Sequence, residues 1–96
     1  MRLVWADEAK TDRFELIGFV ETQSLINAIE LDDRLDEAAE RLLSFPHSGR
    51  LGRVHGTREL VIADAPYILV YAVEEREVVI LRVIHGAQDW PPRDLT

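Results

Sequence analysis

Apolar residues in the first half of the chain recur at helical spacing in two stretches. The first stretch carries Ala9, Leu16, Ile17 and Val20, and the second carries Leu31, Leu35, Ala38 and Leu42. Asp7 and Glu8 place negative charge where it favours a helix start, so we predict helix one from about Asp7 to Glu21. Ser24 is a favourable N-cap residue, and we predict helix two from about Leu25 to Leu43. The short polar break between the helices predicts an antiparallel hairpin.

The second half of the chain carries short apolar runs that are typical of β-strands. Arg58 to Ala63, Tyr67 to Val73 and Val78 to Ile84 are rich in Val, Ile, Leu and Tyr, and short polar connections separate them. Connections of this length predict an antiparallel meander of three strands. The apolar opening from Met1 to Trp5 suits a further strand at the sheet edge. The aperiodic stretch from His47 to Gly56 is predicted to be a loop.

These elements predict a single α+β domain over residues 1–96. Its natural arrangement is an N-terminal strand, an antiparallel helical hairpin and then a three-stranded antiparallel meander that the hairpin covers. The run from Val78 to Ile84 is almost continuously apolar, as in a strand that is buried on both faces. Arg82 interrupts this run, so we expect it to have a partner or to lie at an open end.

Composition excludes several classes of protein. The chain has 96 residues, of which 47% are hydrophobic and 30% charged, which excludes disorder. It has no cysteine, so disulfide scaffolds and thiolate metal sites are excluded. With 18 acidic against 11 basic residues, the net charge of −7 is unlike that of a basic nucleic-acid-binding domain. No signal peptide or membrane span is evident, and we expect a cytoplasmic protein with no membrane partner.

Charge is distributed unevenly along the chain. From Asp7 to Glu40 there are eleven acidic residues against three basic ones, whereas His47 to Arg58 has three arginines and no acid. Arginine presents a planar fork that suits carboxylate or phosphate. The basic stretch is therefore either a solvated loop or a patch that faces an anion or an acidic partner.

The spacing of the residues excludes three familiar kinds of site. The glycines between residues 49 and 56 lack the Lys-Ser/Thr ending of a phosphate loop and follow a helix. His47, His55 and His85 are scattered without metal-ligand spacing. No serine lies on the tight strand-to-helix turn that a serine hydrolase requires. We therefore expect neither a metal nor a cofactor.

A set of polar residues remains near the predicted sheet. It consists of Arg58, Glu59, Tyr67, Tyr71, Arg82 and His85. RNA cleavage through the 2′-hydroxyl needs a general base, a general acid and cationic stabilisation of the phosphorane, and His85, Glu59 and the arginines have that chemistry. The structural alternative is that Arg82 pairs with a carboxylate, His85 caps a strand end and the tyrosines pack.

Three ordered motifs give the chain a specific resemblance. They are Gly56-Thr57-Arg58-Glu59-Leu60, Pro66-Tyr67-Ile68-Leu69-Val70-Tyr71 and Val83-Ile84-His85-Gly86-Ala87-Gln88-Asp89-Trp90. With the opening Leu3-Val4-Trp5 and the stretch Leu43-Ser44-Phe45-Pro46-x-x-Gly49-Arg50, they resemble the RelE/ParE superfamily of type II toxins over nearly the whole chain. The sequence departs from the family at Ser24 to Ala28, where Asn-Pro-x-Ala-Ala is usual.

The resemblance implies a toxin that a ParD-like antitoxin wraps and neutralises, with operator DNA contacted only through the antitoxin. RelE-like members cleave mRNA on the ribosome, and ParE-like members act on DNA gyrase and stabilise plasmids. The His-Gly-Ala-x-x-Trp tail, the single lysine and the acidic balance favour the ParE-like branch, which implies a gyrase inhibitor without catalytic residues. The alternatives are a ribosome-dependent mRNA interferase that uses Arg58, Arg82 and His85, and a detoxified corepressor module.

The resemblance also implies where the partners bind. Helix one has more apolar residues than one core-facing stripe needs, and either Phe14 or Phe19 is expected to be exposed for the antitoxin. The alternative is that both phenylalanines belong to the core. The arginines expected to pair with acidic parts of the antitoxin are Arg50, Arg53, Arg58 and Arg82. The irregular C-terminal segment is expected to contact the target through His85, Gln88, Asp89 and Trp90.

Overall fold

The computed structural model describes residues 1–92, in which seven helices and strands follow one another. They are β1 (Arg2–Trp5), α1 (Asp7–Glu21), α2 (Leu25–Ser44), β2 (Arg50–Leu51), β3 (Arg58–Val61), β4 (Tyr67–Val73) and β5 (Glu77–His85). The predicted α+β order of strand, helical hairpin and meander is confirmed. Both helices begin at the predicted residues, and α2 ends one residue later than expected. The last strand is one residue longer at each end.

The strands form one sheet in the order β1-β5-β4-β3-β2. β1 runs parallel to β5 and lies at one edge, as predicted, while the other neighbouring strands are antiparallel. The register between β4 and β5 shifts once, because Val70 lies opposite Arg82 whereas Tyr71 lies opposite Ile80. Leu81 is therefore the extra residue of a β-bulge, and it lies next to Arg82.

The second helix packs one face against the sheet. Its buried residues are Ala28, Leu31, Leu35, Ala38, Ala39 and Leu42, which recur with the period of a helix. Ser24 caps its start as predicted, because the Ser24 hydroxyl oxygen accepts the N–H of Asn27 at 3.2 Å. In α1, by contrast, only Ala9 is fully buried. Much of the surface of α1 therefore stays exposed.

The core has two parts, one on each face of the sheet. The main core lies between the hairpin and the sheet and contains Leu35, Leu42, Leu69, Tyr71, Val78 and Ile80, all at 0% exposure. A smaller outer cluster on the opposite face consists of Ile68, Val70 and Ile84, with Trp90 packed against it. The last strand contributes Val78, Ile80 and Val83 to the main core and only Ile84 to the outer cluster. Val79, Leu81 and Arg82 are half-buried, so the strand is fully buried on one face and only partly buried on the other.

Tyr71 ties the loop after α2 to the sheet. Its buried hydroxyl donates to the carbonyl of Pro46 at 2.8 Å and accepts the N–H of Gly49 at 2.9 Å. A Cβ on Gly49 would lie 2.6 Å from that hydroxyl oxygen, so a larger residue would push the loop away from Tyr71. This contact fixes where the arginine-containing loop begins.

The stretch that was predicted to be only a loop contains a short strand. Arg50 pairs with Glu59 and Leu51 pairs with Arg58, which adds β2 to the edge of the sheet. Two residues are too few to show an alternating pattern, and the sequence therefore gave no signal for this strand.

The hairpin between β3 and β4 begins earlier than predicted. β3 ends at Val61 and not at Ala63, because the N–H of Ile62 donates to the carbonyl of Tyr67 at 2.9 Å and closes the turn there. Asp64 has a φ of 57° within this turn. Aspartate is one of the few residues besides glycine that adopt this conformation readily.

Candidate functional site

Arg82 has the partner that its position in an apolar strand requires. Its Nε donates to Oδ2 of Asp12 at 2.7 Å, and a terminal nitrogen donates to Oδ1 at 3.0 Å. Glu8 lies 3.7 Å from the same guanidinium. The hydrogen bonds to Asp12 raise the pKa of Arg82, although partial burial lowers it. The fork that would hold a phosphate is thus filled by a carboxylate of the same chain.

Asp12 also completes the hydrogen bonding of the sheet edge. β1 pairs with β5 only as far as Trp5, which lies opposite Ile80, and then leaves the edge. Further along β5, the N–H of Val83 donates to Oδ2 of Asp12 at 2.9 Å. One carboxylate on α1 therefore satisfies both a strand edge and the arginine beside it. No pattern in the sequence indicated this role of Asp12.

Arg58 lies apart from Arg82. The register places Arg58 opposite Tyr71 and Arg82 opposite Val70, and neighbouring residues of a strand point to opposite faces. Arg58 donates to the carbonyl of Gly49 at 2.8 Å and so supports the loop after α2. The structure does not bring together the three residues expected to form a nuclease site.

His85 begins a compact turn at the end of β5. Its Nδ1 accepts the N–H of Ala87 at 3.0 Å, and the side-chain oxygen of Gln88 accepts the N–H of His85 at 3.2 Å. The imidazole meets the Tyr67 ring edge-on, with centroids 5.6 Å apart. His85 and Arg82 both line a groove of about 470 Å³ between α1 and the end of β5. The imidazole is exposed, whereas the guanidinium beside it is already paired.

Trp90 is half-buried and covers the outer cluster of the sheet. The guanidinium of Arg82 lies 5.3 Å from the centroid of its ring, within the range of a cation–π contact. Of the four residues expected to contact a target, Trp90 therefore also stabilises the fold. His85, Gln88 and Asp89 are the exposed members of that set.

Glu59 is a buried charge that holds the arginine-containing loop. Its side chain is 1% exposed, Oε1 accepts a hydrogen bond from Arg50 at 3.0 Å, and Oε2 accepts the N–H of Arg53 at 2.9 Å. Burial raises the pKa of this carboxyl, but the hydrogen bonds and the two arginine charges outweigh it and hold the pKa of Glu59 below its usual value. Two of the arginines expected to bind the antitoxin thus anchor their own loop, and their side chains remain 55% and 38% exposed.

The helical hairpin exposes large apolar side chains on both of its helices. Phe14 is 81% exposed and Phe19 is 61% exposed, so both phenylalanines are exposed where one was expected. Leu25, Ile26 and Ile29 at the start of α2 are also exposed, and sequence analysis did not single them out. Their positions outside the buried stripe of α2 were the available signal.

Phe14 borders an apolar groove of about 540 Å³ that is also lined by Trp5 and Arg13. The guanidinium of Arg13 lies 4.7 Å from the Trp5 ring centroid and forms ion pairs of 2.8 Å with Asp32 and with Asp36. Burial lowers the pKa of Arg13, but hydrogen bonds to these carboxylates raise it overall. The groove thus combines aromatic surface with an arginine whose charge is already balanced.

Within residues 1–92, no three His, Asp or Glu side chains group as metal ligands would. Neither helix in that range is long and apolar enough to cross a bilayer.

The fold and these surfaces define a small α+β protein whose exposed features suit protein partners. Residues 3–90 match the family described as "ParE toxin of type II toxin-antitoxin system, parDE". The chain therefore belongs to the ParE toxin family, within the RelE/ParE superfamily that the sequence motifs resemble.

Relatives and a solved structure agree with this assignment. The chain is 39% identical over 90 residues to "Putative toxin Y4kP" of Sinorhizobium fredii, covering 94% of this chain and 93% of that protein. It is 32% identical over 87 residues to "Toxin RelE2" of Caulobacter vibrioides, covering 91% and 97%. A chain of the structure titled "Chromosomal ParDE TA system from P. aeruginosa" has the same fold, with a TM-score of 0.77, 24% identity and coverage of 88% and 95%.

Proposed function

We propose that this toxin is neutralised by a cognate ParD-like antitoxin that wraps the helical hairpin, and that the free toxin arrests growth by inhibiting DNA gyrase. Family membership supports an antitoxin partner.

The pairing of Arg82 with Asp12 is the observation that best supports a non-enzymatic mechanism. A ribonuclease of this fold would need free cationic groups around the scissile phosphate. Here Asp12 occupies the fork of Arg82, and Arg58 supports a loop on the other face of the sheet. The net charge of −7 also opposes docking into a site lined by RNA phosphate.

Antitoxin binding is supported by the exposed apolar surface of the hairpin. Phe14 and Phe19 project from α1, and an aromatic side chain that becomes buried in a partner contributes strongly to affinity. Arg50 and Arg53 remain partly exposed after pairing with Glu59 and offer cations to acidic residues of the antitoxin. Arg58 contributes by supporting the loop after α2. Arg82 contributes by holding α1 against β5 through Asp12.

Target binding is assigned to the turn that follows β5. His85, Gln88 and Asp89 are exposed there, on a turn that hydrogen bonds hold in shape. Trp90 anchors the far end of the turn on the outer cluster. A preorganised turn lowers the entropic cost of binding to a larger protein.

The test is a gyrase supercoiling and DNA-cleavage assay with the purified toxin, repeated with equimolar antitoxin. We expect inhibition by the toxin alone and relief by the antitoxin. A toxin preparation that arrests growth but leaves gyrase unaffected would contradict the gyrase target and leave the family assignment intact.

One observation favours a ribosome-dependent mRNA interferase as the second candidate. His85 and Arg82 line the same groove, so an imidazole and a guanidinium lie near one another. Mapping of transcript ends after toxin induction distinguishes the two functions. Cleavage within codons that is lost in His85→Ala would establish the nuclease, whereas intact transcripts in arrested cells would support the gyrase target.

A further inference from the structure

The outward face of α2 carries a continuous exposed stripe with two chemically different halves. This α2 stripe consists of Leu25, Ile26, Ile29, Asp33, Glu37 and Glu40, all of them exposed. Its first half is apolar, with Ile26 at 69% exposure. Its second half is acidic.

The residues of the α2 stripe lie on one face of the helix. Ile26, Asp33 and Glu40 are each seven residues apart, which places them on the same side of α2. The buried residues of the helix lie on its opposite side. From Ile26 to Glu40 the stripe spans roughly 20 Å at 1.5 Å per residue, which is the length of about four turns of a partner helix.

The acidic half forms no ion pair with the rest of the described chain, although Arg41 lines the same groove as Glu37 and Glu40 and offsets part of their charge. Within residues 1–92, Asp33, Glu37 and Glu40 form no ion pair. Arg34 lies between them in sequence, but its guanidinium is directed to the carbonyl of Ala63 at 3.5 Å.

We infer that the α2 stripe binds an amphipathic helix of the antitoxin that carries apolar side chains at one end and Lys or Arg at the other. The inference rests on the proposed antitoxin function and specifies the chemistry of the partner. An apolar helix end fits against Leu25, Ile26 and Ile29, and its cations reach Asp33, Glu37 and Glu40. This segment is opposite in charge to the acidic antitoxin residues that the arginine-containing loop would bind.

The experiment measures the affinity of the full-length toxin for its cognate antitoxin by titration calorimetry over a range of NaCl concentrations. The test variant is Asp33→Lys/Glu37→Lys. The matched control is Glu74→Lys/Glu75→Lys, which makes the same change in net charge in the exposed turn between β4 and β5. We expect at least a tenfold loss of affinity and a weaker salt dependence for the test variant, with less than a twofold change for the control.

A second pair of variants tests the apolar half. Ile26→Ser/Ile29→Ser is expected to lose at least tenfold in affinity while it keeps the salt dependence of the native toxin. Because all these positions are exposed, circular dichroism and the melting temperature should be close to those of the native toxin.

The possible failures are distinguishable. A twofold or smaller effect of Asp33→Lys/Glu37→Lys, or tighter binding, would overturn the inference alone if Phe14→Ala still weakens the complex. An equal loss in the Glu74→Lys/Glu75→Lys control would overturn it too, since the effect would then come from net charge. Failure of the antitoxin to bind native toxin would overturn the proposed function together with the inference.

Discussion

The carboxylate of Asp12 and the guanidinium of Arg82 are joined by two hydrogen bonds, of 2.7 and 3.0 Å, although 70 positions of sequence separate them. The same carboxylate accepts the N–H of Val83 at 2.9 Å. One side chain on α1 thus neutralises the arginine in β5 and caps the strand edge beside it. The contact links the helical hairpin to the part of the sheet from which the C-terminal turn emerges.

Replacement of Asp12 by asparagine is expected to destabilise the fold. The variant leaves a partly buried guanidinium without its carboxylate, which costs about 2–4 kcal/mol in the free energy of unfolding. Urea denaturation measures the difference. Asp33→Asn, at an exposed position of α2, is the control and should stay within about 0.5 kcal/mol of the native protein. Equal losses in both variants would contradict the role of the Arg82 contact.

The lowered pKa of Glu59 is expected to make the free energy of unfolding depend on pH. Its pKa in the fold lies below the usual value of about 4.5, so its ionised form stabilises the fold above that pH, and this stabilisation is lost as the pH falls through the folded pKa. Glu59→Gln should therefore cost about 1–3 kcal/mol near neutral pH, and the difference from the native protein should shrink in acid.

The measurement is the free energy of unfolding from near neutral pH to well below the usual glutamate pKa, with Glu40→Gln as an exposed control. A gap between Glu59→Gln and the native protein that stays constant with pH would show that the charge of Glu59 is not what holds Arg50 and Arg53.

Phe14 and Phe19 are expected to be contact residues for the antitoxin. Because both side chains are exposed, alanine at either position should leave the melting temperature nearly unchanged. Loss of a buried aromatic contact should weaken binding by more than about 1 kcal/mol. Calorimetric titration with the antitoxin measures this, and Val61→Ala, an exposed apolar position on β3, is the matched control. Unchanged affinity in both phenylalanine variants would remove them from the interface.

In the C-terminal turn, different residues are expected to contact the target and to stabilise the fold. Gln88→Ala removes an exposed side chain together with its hydrogen bond to the N–H of His85, and is expected to reduce growth arrest several-fold at equal protein level with little change in global stability. Trp90→Ala removes the cover of the outer cluster and is expected to destabilise the fold by about 2–4 kcal/mol. Growth curves with thermal melts of the same variants measure both effects. A truncation before Gly86 that remained toxic would rule out target binding through this turn.

The sequence predicted elements better than it predicted contacts. Helical spacing and the cap at Ser24 located both helices, and the need of Arg82 for a partner followed from its apolar neighbours. That Asp12 is the partner depends on how α1 crosses the edge of β5, which only the assembled sheet determines. Periodicity carries no information on a contact between such distant positions.

For the candidate surfaces too, the sequence predicted exposed residues better than it predicted contacts. An excess of apolar residues on α1 indicated an exposed phenylalanine, and both Phe14 and Phe19 are exposed. Glu59 was considered for catalysis, whereas it lies buried as the anchor of two arginines. That role required β2, and a strand of two residues leaves no pattern to detect.

The parallel pairing of β1 with β5 has a consequence for synthesis of the toxin. Arg2 lies opposite Glu77 and Trp5 opposite Ile80, so the first strand has no partner until nearly the whole chain has left the ribosome. The helical hairpin precedes the meander in the chain, so its buried face cannot pack against the complete sheet until then. A nascent chain that stops short of β5 lacks both the sheet edge that Asp12 caps and the turn assigned to the target. We therefore expect an incomplete chain on the ribosome to be inactive towards the proposed target.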